Sequence, residues 1–324
     1  MSKKFVYLFP GQGAQYPGMA LDFLSSDAVK KLFDTASEIF GKDAKELLQS
    51  DADTLKRTDV SQPVITLANL AAAAFLGEQG YSPAACAGFS LGEYAALVYS
   101  GIIDAPECLR LVKARGEAMQ KTSDALRNAA GGDAGAAPGM AAVVGMEPRQ
   151  VEELIAKWTA EGLKDLYAAN INSPKQVVVS GTAAALTEAE TRFKEAGAKR
   201  VLWLQVAGPF HSPLMSDSAD AFAPALQAAA FRDPVIPVYS NVTGKAITSG
   251  EEAKRLALLQ ITNPVRWIEE EAAIFCGGFD ACLEAGPGKV LQGLWRDSGL
   301  TSESGNGIPA FAAGTAEDIG KIEK

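Results

Sequence analysis

The chain has 324 residues, of which 48% are hydrophobic and 21% are charged, a composition typical of a globular protein with a large core. The net charge of −9, together with the lack of any run of lysine and arginine, argues against nucleic-acid binding. Four cysteines without metal-ligand spacing and a single histidine argue against a metal site. The chain shows neither a signal-peptide pattern nor an apolar run of membrane-spanning length. We therefore expect a cytoplasmic protein that does not enter a membrane.

The N-terminal third of the chain has the pattern of an α/β protein. We predict a buried strand over Phe5–Phe9, followed by the glycine-rich loop Pro10–Gln15, which lacks the spacing of a phosphate-binding loop. An apolar helix is predicted over Pro63–Gln79. Another helix begins at the capping residue Asp104 and is predicted to end near Gln120.

The middle of the chain has a different pattern, which follows a predicted surface loop over Asn128–Pro138. The predicted order is strand, helix, strand, strand, helix and strand, over Met140–Gly145, Pro148–Ala160, Leu166–Ile171, Gln176–Ser180, Ala184–Ala196 and Arg200–Gln205. This is the ferredoxin-like β-α-β-β-α-β order. We therefore predict a small subdomain over residues 128–205, inserted between the two parts, 1–127 and 206–324, of a larger α/β subdomain. The second part contains predicted elements at Ala219–Ala230, Val235–Ser240, Ala253–Ile261, Val265–Cys276 and Ala281–Leu283, and a last short strand and helix after Ile308.

The stretch Gly88-Phe89-Ser90-Leu91-Gly92 is the first indication of chemistry. This G-x-S-x-G pattern is weak by itself, because glycine and serine are common in turns. Here it lies between a short apolar strand and a helix, the context of a nucleophile elbow. The elbow would place Ser90 at a helix N-terminus, where free N–H groups favour a developing oxyanion. The context therefore favours Ser90 as a nucleophile.

The only histidine, His211, lies in the turn Gly208–Pro213. A neutral imidazole is the usual base for a serine hydroxyl near neutral pH. The alternative is a structural histidine that forms hydrogen bonds inside the protein. If Ser90 is activated by histidine, then His211 is the one residue that can serve it.

Arg115 lies on the apolar side of its helix, because its helical neighbours Leu111, Val112, Ala118 and Met119 are all apolar. A buried guanidinium must have a partner. Two partners are possible: an aspartate or glutamate inside the protein, or the carboxylate of a substrate, which a guanidinium can bind with two parallel hydrogen bonds.

Several stretches carry a resemblance to a known family. They are FPGQGAQ (9–15), GFSLGEYAAL (88–97), RGEAMQ (115–120), MAAVVG (140–145), NSPKQVVVSG (172–181), GPFHSPLM (208–215), SNVTG (240–244), QITNPVRW (260–267) and GPGKVL (286–291). Together, in this order and over nearly the whole chain, they resemble the malonyl-CoA–acyl carrier protein transacylases of fatty acid synthesis and the acyltransferase domains of polyketide synthases. The resemblance implies an α/β-hydrolase-like core with a mainly parallel sheet and an inserted ferredoxin-like subdomain.

The resemblance also implies roles for individual residues in catalysis. Ser90 would be the nucleophile that carries the acyl ester, and His211 would be general base and then general acid. The backbone carbonyl of Gln260 would accept a hydrogen bond from the second imidazole nitrogen. The backbone N–H groups of Gln12 and Leu91 would form the oxyanion hole.

For the substrate, the resemblance implies that Arg115 binds the free carboxylate of malonate and that Phe210 crowds an α-methyl group. The partners would be malonyl-CoA and an acyl carrier protein, with no metal, no cofactor and no nucleic acid, and we expect a monomer.

One departure from the family is Phe89, where its members usually have histidine, and this difference leaves the hydrogen bonding around the elbow open. We also expect Lys199, Arg200 and Lys289 to form a basic patch for the acidic carrier protein.

Two other functions fit part of the pattern. A serine esterase or thioesterase would share the Ser90–His211 pair, but would not explain a core-facing Arg115. A non-catalytic scaffold that binds a carrier protein would not need Ser90, His211 and Arg115 together.

Overall fold

The computed structural model describes residues 3–132, 135–301 and 307–323. The strands are β1 (Phe5–Phe9), β2 (Pro83–Gly88), β3 (Gly139–Val144), β4 (Leu166–Ser173), β5 (Gln176–Gly181), β6 (Arg200–Trp203), β7 (Ala281–Glu284) and β8 (Ala310–Ala312). The helices are α1 (Asp27–Phe40), α2 (Ala44–Leu48), α3 (Ala52–Lys56), α4 (Thr58–Glu78), α5 (Gly92–Tyr99), α6 (Ala105–Ala129), α7 (Pro148–Ala160), α8 (Ala183–Glu195), α9 (Ser216–Ala228), α10 (Gly250–Leu259), α11 (Trp267–Phe275), α12 (Val290–Asp297) and α13 (Ala316–Gly320). Short 3₁₀ turns lie at Leu21–Ser25 and Pro213–Met215.

The first sheet is parallel, in the order β2-β1-β7-β8, and the segments after β1 and β2 contain the candidate residues Gln12 and Ser90. Strand β1 is buried along its whole length, and its alternate residues pack into separate apolar clusters on the two faces of the sheet. The last residue of β1, Phe9, pairs with the last residue of β2, Gly88. The segments that follow these strands therefore leave the same edge of the sheet side by side, where open parallel sheets bind their ligands.

Helix α4 packs against α1 and α6. Within the described residues, it is the one helix that is long and apolar enough to cross a membrane, but 78% of its most apolar window is buried inside the protein. Burial in the core therefore accounts for the hydropathy of this helix.

The second sheet is antiparallel, in the order β4-β5-β3-β6. Its strands follow each other along the chain with α7 and α8 between them, which confirms the ferredoxin-like order. The two helices cover one face, where Trp158 and Phe193 pack edge to face with ring centroids 4.7 Å apart. On the other face, Met140 and Val178 line the cavity described below. The subdomain boundaries at 128 and 205 stay predictions.

Backbone hydrogen bonds join this second sheet to the rest of the protein. The N–H of Val265 donates to the carbonyl of Ala169 at 2.9 Å, and the N–H of Ile171 donates to the carbonyl of Val265 at 2.8 Å. Since both bonds lie on β4, the segment before α11 continues the edge of the antiparallel sheet.

The structure extends two of the helices expected from sequence. Helix α4 begins at Thr58 and not at Pro63, because almost complete burial outweighs the hydrogen bond that proline cannot donate. Helix α6 continues to Ala129, since Leu126 in its last turns still packs on the core. The expected loop over Asn128–Pro138 therefore begins with the end of a helix, and its residues 133 and 134 lie outside the described residues.

The expected element over Val235–Ser240 is not a regular strand. Val238 forms an isolated parallel bridge with Cys86, and Tyr239 forms an isolated antiparallel bridge with Ala246. Two prolines, at 234 and 237, lack the N–H groups that a continuous ladder requires.

Candidate active site

Ser90 lies in a sharp turn between β2 and α5 that needs glycine on both sides. A Cβ at Gly92 would lie 1.9 Å from the carbonyl oxygen of Phe9, and a Cβ at Gly88 would lie 2.1 Å from the carbonyl carbon of Gly92. Neither position can therefore hold a side chain. Ser90 itself has φ of 51°, in the left-handed region that non-glycine residues rarely adopt. This is the strained strand-to-helix turn that the G-x-S-x-G pattern predicts.

The structure brings Ser90 and His211 together. Ser90 Oγ lies 2.7 Å from His211 Nε2, and His211 Nδ1 lies 2.8 Å from the backbone oxygen of Gln260. Because a carbonyl oxygen can only accept, Nδ1 carries the proton and Nε2 is free to accept from the serine hydroxyl. A serine, a base and a third group that orients the base are the arrangement of an activated nucleophile.

The electrostatic surroundings keep His211 neutral. Burial, followed by the positive charge of Arg115, lowers the pKa of His211 from its ordinary 6.5 to about 4. The hydrogen bond to the carbonyl of Gln260 opposes this shift but is the weaker influence. At pH 7 the imidazole is therefore in the form that can accept a proton.

Two backbone N–H groups at the site are free. Those of Gln12 and Leu91 donate to no acceptor within the described parts of the chain. Gln12 lines the cavity on the segment after β1, whereas Leu91 stands at the N-terminus of α5 with its side chain in the core. Free donors at the ends of two adjacent parallel strands, next to a serine, are suited to bind an oxyanion.

Arg115 is 1% exposed and lines the same cavity. Its Nη2 donates to the side-chain oxygen of Gln260 at 3.0 Å, and its guanidinium lies 5.5 Å from the centre of the Tyr94 ring. Its Nε has no hydrogen-bond partner, and the guanidinium forms no ion pair, within residues 3–132, 135–301 and 307–323. Among the described residues, an internal acidic side chain therefore does not contact Arg115 directly, although the charge of Glu93 acts on it from farther away, and the guanidinium remains available to an anion.

A cavity of about 210 Å³ lies between the two sheets, with Ser90 and His211 on its wall. Phe210, 6% exposed, lines it next to the histidine. Phe89 also lines it and packs edge to face against Trp267, with ring centroids 5.5 Å apart. The remaining wall is rich in amides, namely Gln12, Gln15, Gln62, Asn170, Asn172, Gln176 and Gln205. Such groups can donate to and accept from an extended polar chain.

The three basic residues expected to form one patch lie apart. Arg200 is exposed opposite Val144, at the end of the β3–β6 pair far from Met140, and Lys199 precedes it. Lys289 is exposed next to Val290, which lines the cavity. Of the three, Lys289 alone is adjacent to a residue of the cavity wall.

Known proteins share this combination of fold and motifs. Residues 6–315 match the model of the acyl transferase domain family. The chain is 37% identical to the malonyl CoA-acyl carrier protein transacylase of Escherichia coli (strain K12) over 315 residues, which is 96% of this chain and 98% of that relative. This chain belongs to the malonyl CoA-acyl carrier protein transacylase family.

Solved structures of the transacylase family agree with the fold. An acyl carrier protein S-malonyltransferase from Vibrio cholerae has a TM-score of 0.87 and 36% identity, with 99% of this chain and 100% of that chain covered. A malonyl-transacylase in complex with a type II PKS acyl-carrier protein has a TM-score of 0.86 and 34% identity, with 98% and 97% covered. The resemblance inferred from the motifs is confirmed, and the protein is an acyltransferase.

The sequence motifs of the transacylase family contain site residues that sequence reasoning missed. Asn241, in the SNVTG stretch, accepts a hydrogen bond from the N–H of Ser90 at 2.6 Å. The hydroxyl of Ser180, in the NSPKQVVVSG stretch, donates to the carbonyl of Phe210 at 2.6 Å. Glu93, in the elbow stretch, is 1% exposed. Each is a polar residue in the protein interior, but their partners lie far away in the chain and could not be inferred from local pattern.

Proposed function

We propose that this protein transfers a malonyl group from malonyl-CoA to the phosphopantetheine thiol of an acyl carrier protein, through an ester on Ser90. The observation that carries the proposal is the 2.7 Å contact between Ser90 Oγ and His211 Nε2 in the cavity that also contains the guanidinium of Arg115. The names of the relatives describe the same donor and acceptor, and one similar structure is a complex with a carrier protein.

In the first half-reaction, Ser90 Oγ attacks the thioester carbonyl while its proton passes to His211 Nε2. The carbonyl of Gln260 keeps the ring oriented and stabilises the imidazolium. The negative oxygen accepts hydrogen bonds from the N–H groups of Gln12 and Leu91, each of which contributes about 3 kcal/mol. When the carbon–sulfur bond breaks, the proton on His211 passes to the sulfur of coenzyme A. The products are the Ser90 ester and the free thiol of coenzyme A.

The second half-reaction repeats these steps with a different thiol. His211 takes the proton of the phosphopantetheine thiol, the sulfur attacks the ester, and the proton returns to Ser90 Oγ. The two half-reactions share one acyl-enzyme, so the kinetics are ping-pong. We propose that protein groups and the reactive thioester suffice, without a metal or a cofactor.

Malonate is distinguished from neutral acyl groups by its carboxylate, and Arg115 supplies the matching charge. The guanidinium can form two charge-assisted hydrogen bonds with that carboxylate, each worth about 1.5–3 kcal/mol. An acetyl group would leave this buried charge without a counter-ion, so discrimination includes a penalty as well as an attraction. Phe210 is proposed to limit space for a substituent on the α-carbon.

The deciding experiment is the intact mass of the protein after brief incubation with malonyl-CoA, followed by peptide mapping. We expect one malonyl group, located on Ser90, and its transfer to holo acyl carrier protein. Ser90→Ala should acquire no label, and folded His211→Ala should acquire it slowly. Labelling of Ser90→Ala at the native rate would exclude Ser90 as the nucleophile.

The same assay separates the other two functions. An esterase or thioesterase would release free malonate without a carrier protein, and a scaffold would acquire no label at all. Carrier proteins of fatty acid and polyketide synthesis can be offered in parallel to identify the acceptor.

Lys289 is the basic residue that we propose contacts the acidic carrier. Lys289→Glu should raise the KM for carrier protein and leave the KM for malonyl-CoA unchanged. Arg200→Glu serves as the control at the distant end of the antiparallel sheet. Equal effects of the two variants would exclude a local contact at Lys289.

A further inference from the structure

We propose that Asn241 is the positioning residue of the Ser90 nucleophile, and that the buried side chains of Glu93 and Glu270 hold Asn241 in place. The inference rests on the proposed role of Ser90, and it adds a buried network that the catalytic steps above do not use. Asn241 touches no reacting atom, so its effect would pass through the geometry of the elbow.

Asn241 bridges the two sides of the elbow. Its Oδ1 accepts from the N–H of Ser90 at 2.6 Å, and its Nδ2 donates to the carbonyl of Gly88 at 2.7 Å. These residues flank Phe89 at the point where β2 ends and the backbone enters the left-handed region at Ser90. A residue in such a conformation keeps it only when its surroundings hold it. Asn241 supplies bonds on both sides of the strained position.

The hydrogen-bond partners leave one orientation for the side chain of Asn241. The carbonyl of Gly88 can only accept, and the N–H of Ser90 can only donate, so the NH₂ group faces Gly88 and the oxygen faces Ser90. Asn241 is 0% exposed. Aspartate would keep the size and the acceptor for Ser90, but would turn an oxygen without a hydrogen toward the carbonyl of Gly88.

Two buried carboxyl groups accept hydrogen bonds from Asn241. Glu93 Oε2 accepts the backbone N–H of Asn241 at 2.7 Å, and Glu270 Oε1 accepts from Nδ2 at 2.7 Å. Glu93 and Glu270 are 1% and 0% exposed, and neither forms an ion pair within the described residues. Burial raises the pKa of Glu93 to about 7 and that of Glu270 well above its ordinary value. Buried acids that form no direct ion pair are costly, which indicates a purpose beyond packing.

Gln260 connects this network to the other site residues. Its Nε2 lies 3.1 Å from the carbonyl oxygen of Ser90 and 3.3 Å from Asn241 Oδ1. Its backbone carbonyl accepts from His211, and its side-chain oxygen accepts from Arg115. A displacement of Asn241 is therefore expected to change the position of Ser90 Oγ relative to the imidazole, while α6 and Tyr94 still hold the guanidinium.

The test uses two reactions of Ser90. Malonyl transfer requires the whole site, whereas phenylmethanesulfonyl fluoride reports the reactivity of the serine without a malonyl carboxylate. Asn241→Ala and Asn241→Asp should lower both rate constants by about 10- to 100-fold, with little change in the KM for malonyl-CoA. If the variants simply contained less folded protein, the fraction of active molecules would fall while the rate constant of each active molecule stayed the same. Titration of the active sites measures that fraction.

Two neighbouring glutamates on α11 provide a matched control. Glu271 is also 0% exposed, but it accepts from Trp267 Nε1 and Ser298 Oγ and not from Asn241. Glu270→Leu and Glu271→Leu should both lower the melting temperature, and Glu270→Leu alone should slow both reactions of Ser90. Glu270→Gln should restore the rates, because its amide oxygen can accept from Asn241.

Native rates in folded Asn241→Ala, or a parallel loss of rate in the two leucine variants, would overturn the proposal. If the Asn241 variants do not fold, the comparison of Glu270 with Glu271 decides. Failure of the proposed function would be separate: the native protein would react with the sulfonyl fluoride at Ser90 but would acquire no malonyl group. The sulfonyl fluoride rates of the variants would then still test the role of Asn241.

Discussion

The turns that carry Ser90 and His211 share an unusual backbone conformation but are held in different ways. Their φ values are 51° and 57°. The Ser90 turn is held mainly by close backbone packing at two glycines, with Asn241 behind it. The His211 turn is held by side chains, since Ser180 donates to the carbonyl of Phe210 and Ser212 donates to that of Pro209.

The difference shows how each half of the pair depends on the fold. The pattern of the elbow is encoded in five consecutive residues, but its backbone also packs against Phe9 of β1 and is bonded by Asn241. The His211 turn depends on Ser180, which lies on β5 of the antiparallel sheet. Alignment of the imidazole with the serine therefore depends on how the second sheet packs against the first.

The largest effect is expected from a break in the packing of the elbow. Gly92→Ala places a Cβ 1.9 Å from the carbonyl oxygen of Phe9, so β1 and α5 must separate. We expect the free energy of unfolding to fall by about 3 kcal/mol or more, measured by urea denaturation. Gly77→Ala, in the exposed part of α4 with nothing within 4 Å, is the control and should leave stability equal or higher. A folded Gly92→Ala protein with normal stability would contradict the packing argument.

The second largest effect concerns Arg115, which is linked to both turns through Gln260: the side chain of Gln260 bonds Arg115 and the Ser90 turn, and its backbone carbonyl bonds His211. Arg115→Ala should lower malonyl transfer about 100-fold through the loss of charge-assisted bonds, while acetyl transfer holds or rises. Arg115→Lys should restore little, because an ammonium cannot form the two parallel bonds. The measurement is transfer from malonyl-CoA and acetyl-CoA by each variant. A parallel loss with both donors would mean that Arg115 acts on the two turns through Gln260 and does not select the substrate.

A smaller effect is expected when the His211 turn loses its support from the second sheet. Ser180→Ala removes the hydrogen bond to Phe210, so the imidazole should align less well with Ser90. We expect the acylation rate constant to fall about 10-fold, with the KM for malonyl-CoA little changed. The control is Ser218→Ala, because Ser218 is equally buried and its hydroxyl has no partner among the described residues. Equal rates for the two variants would show that the His211 turn keeps its conformation without the hydrogen bond from Ser180.

The smallest effect concerns the pH dependence of acylation. Because the pKa of His211 is lowered to about 4, the base form is present throughout the neutral range. The single-turnover rate should therefore be flat near neutral pH and fall as the pH drops through about 4, where the imidazole becomes protonated. A midpoint near the ordinary histidine value of 6.5 would show an exposed His211 turn. Ser180→Ala should move the midpoint toward that value, if loss of support admits water.

The elbow and the alternation of elements were predictable because their causes are local. The need for glycine at Gly88 comes from neighbours in the same turn, whereas Gly92 must be glycine because it packs against the end of β1 at Phe9. The G-x-S-x-G pattern and the hydrophobic period of each strand or helix nevertheless lie within short stretches of the chain. The beginning of α4 and the C-terminal end of α6 were predicted wrongly from the sequence, because tertiary burial and not local propensity decides how far those helices extend. The prolines around Val235–Ser240 carried a local signal that the apolar pattern obscured.

The sequence by itself determined the parallel and ferredoxin-like parts of the fold, the candidate pair Ser90 and His211, and the unusual position of Arg115 on an apolar face. Only the tertiary structure decided which buried polar groups meet. Ser90 and Asn241 are 151 residues apart, and Ser90 and His211 are 121 residues apart. The hydrogen bonds that orient them act over about 3 Å, and nothing in a local pattern of residues encodes which distant donor will face which acceptor. That pairing arises when two sheets pack around one cavity and every buried polar group must find a partner.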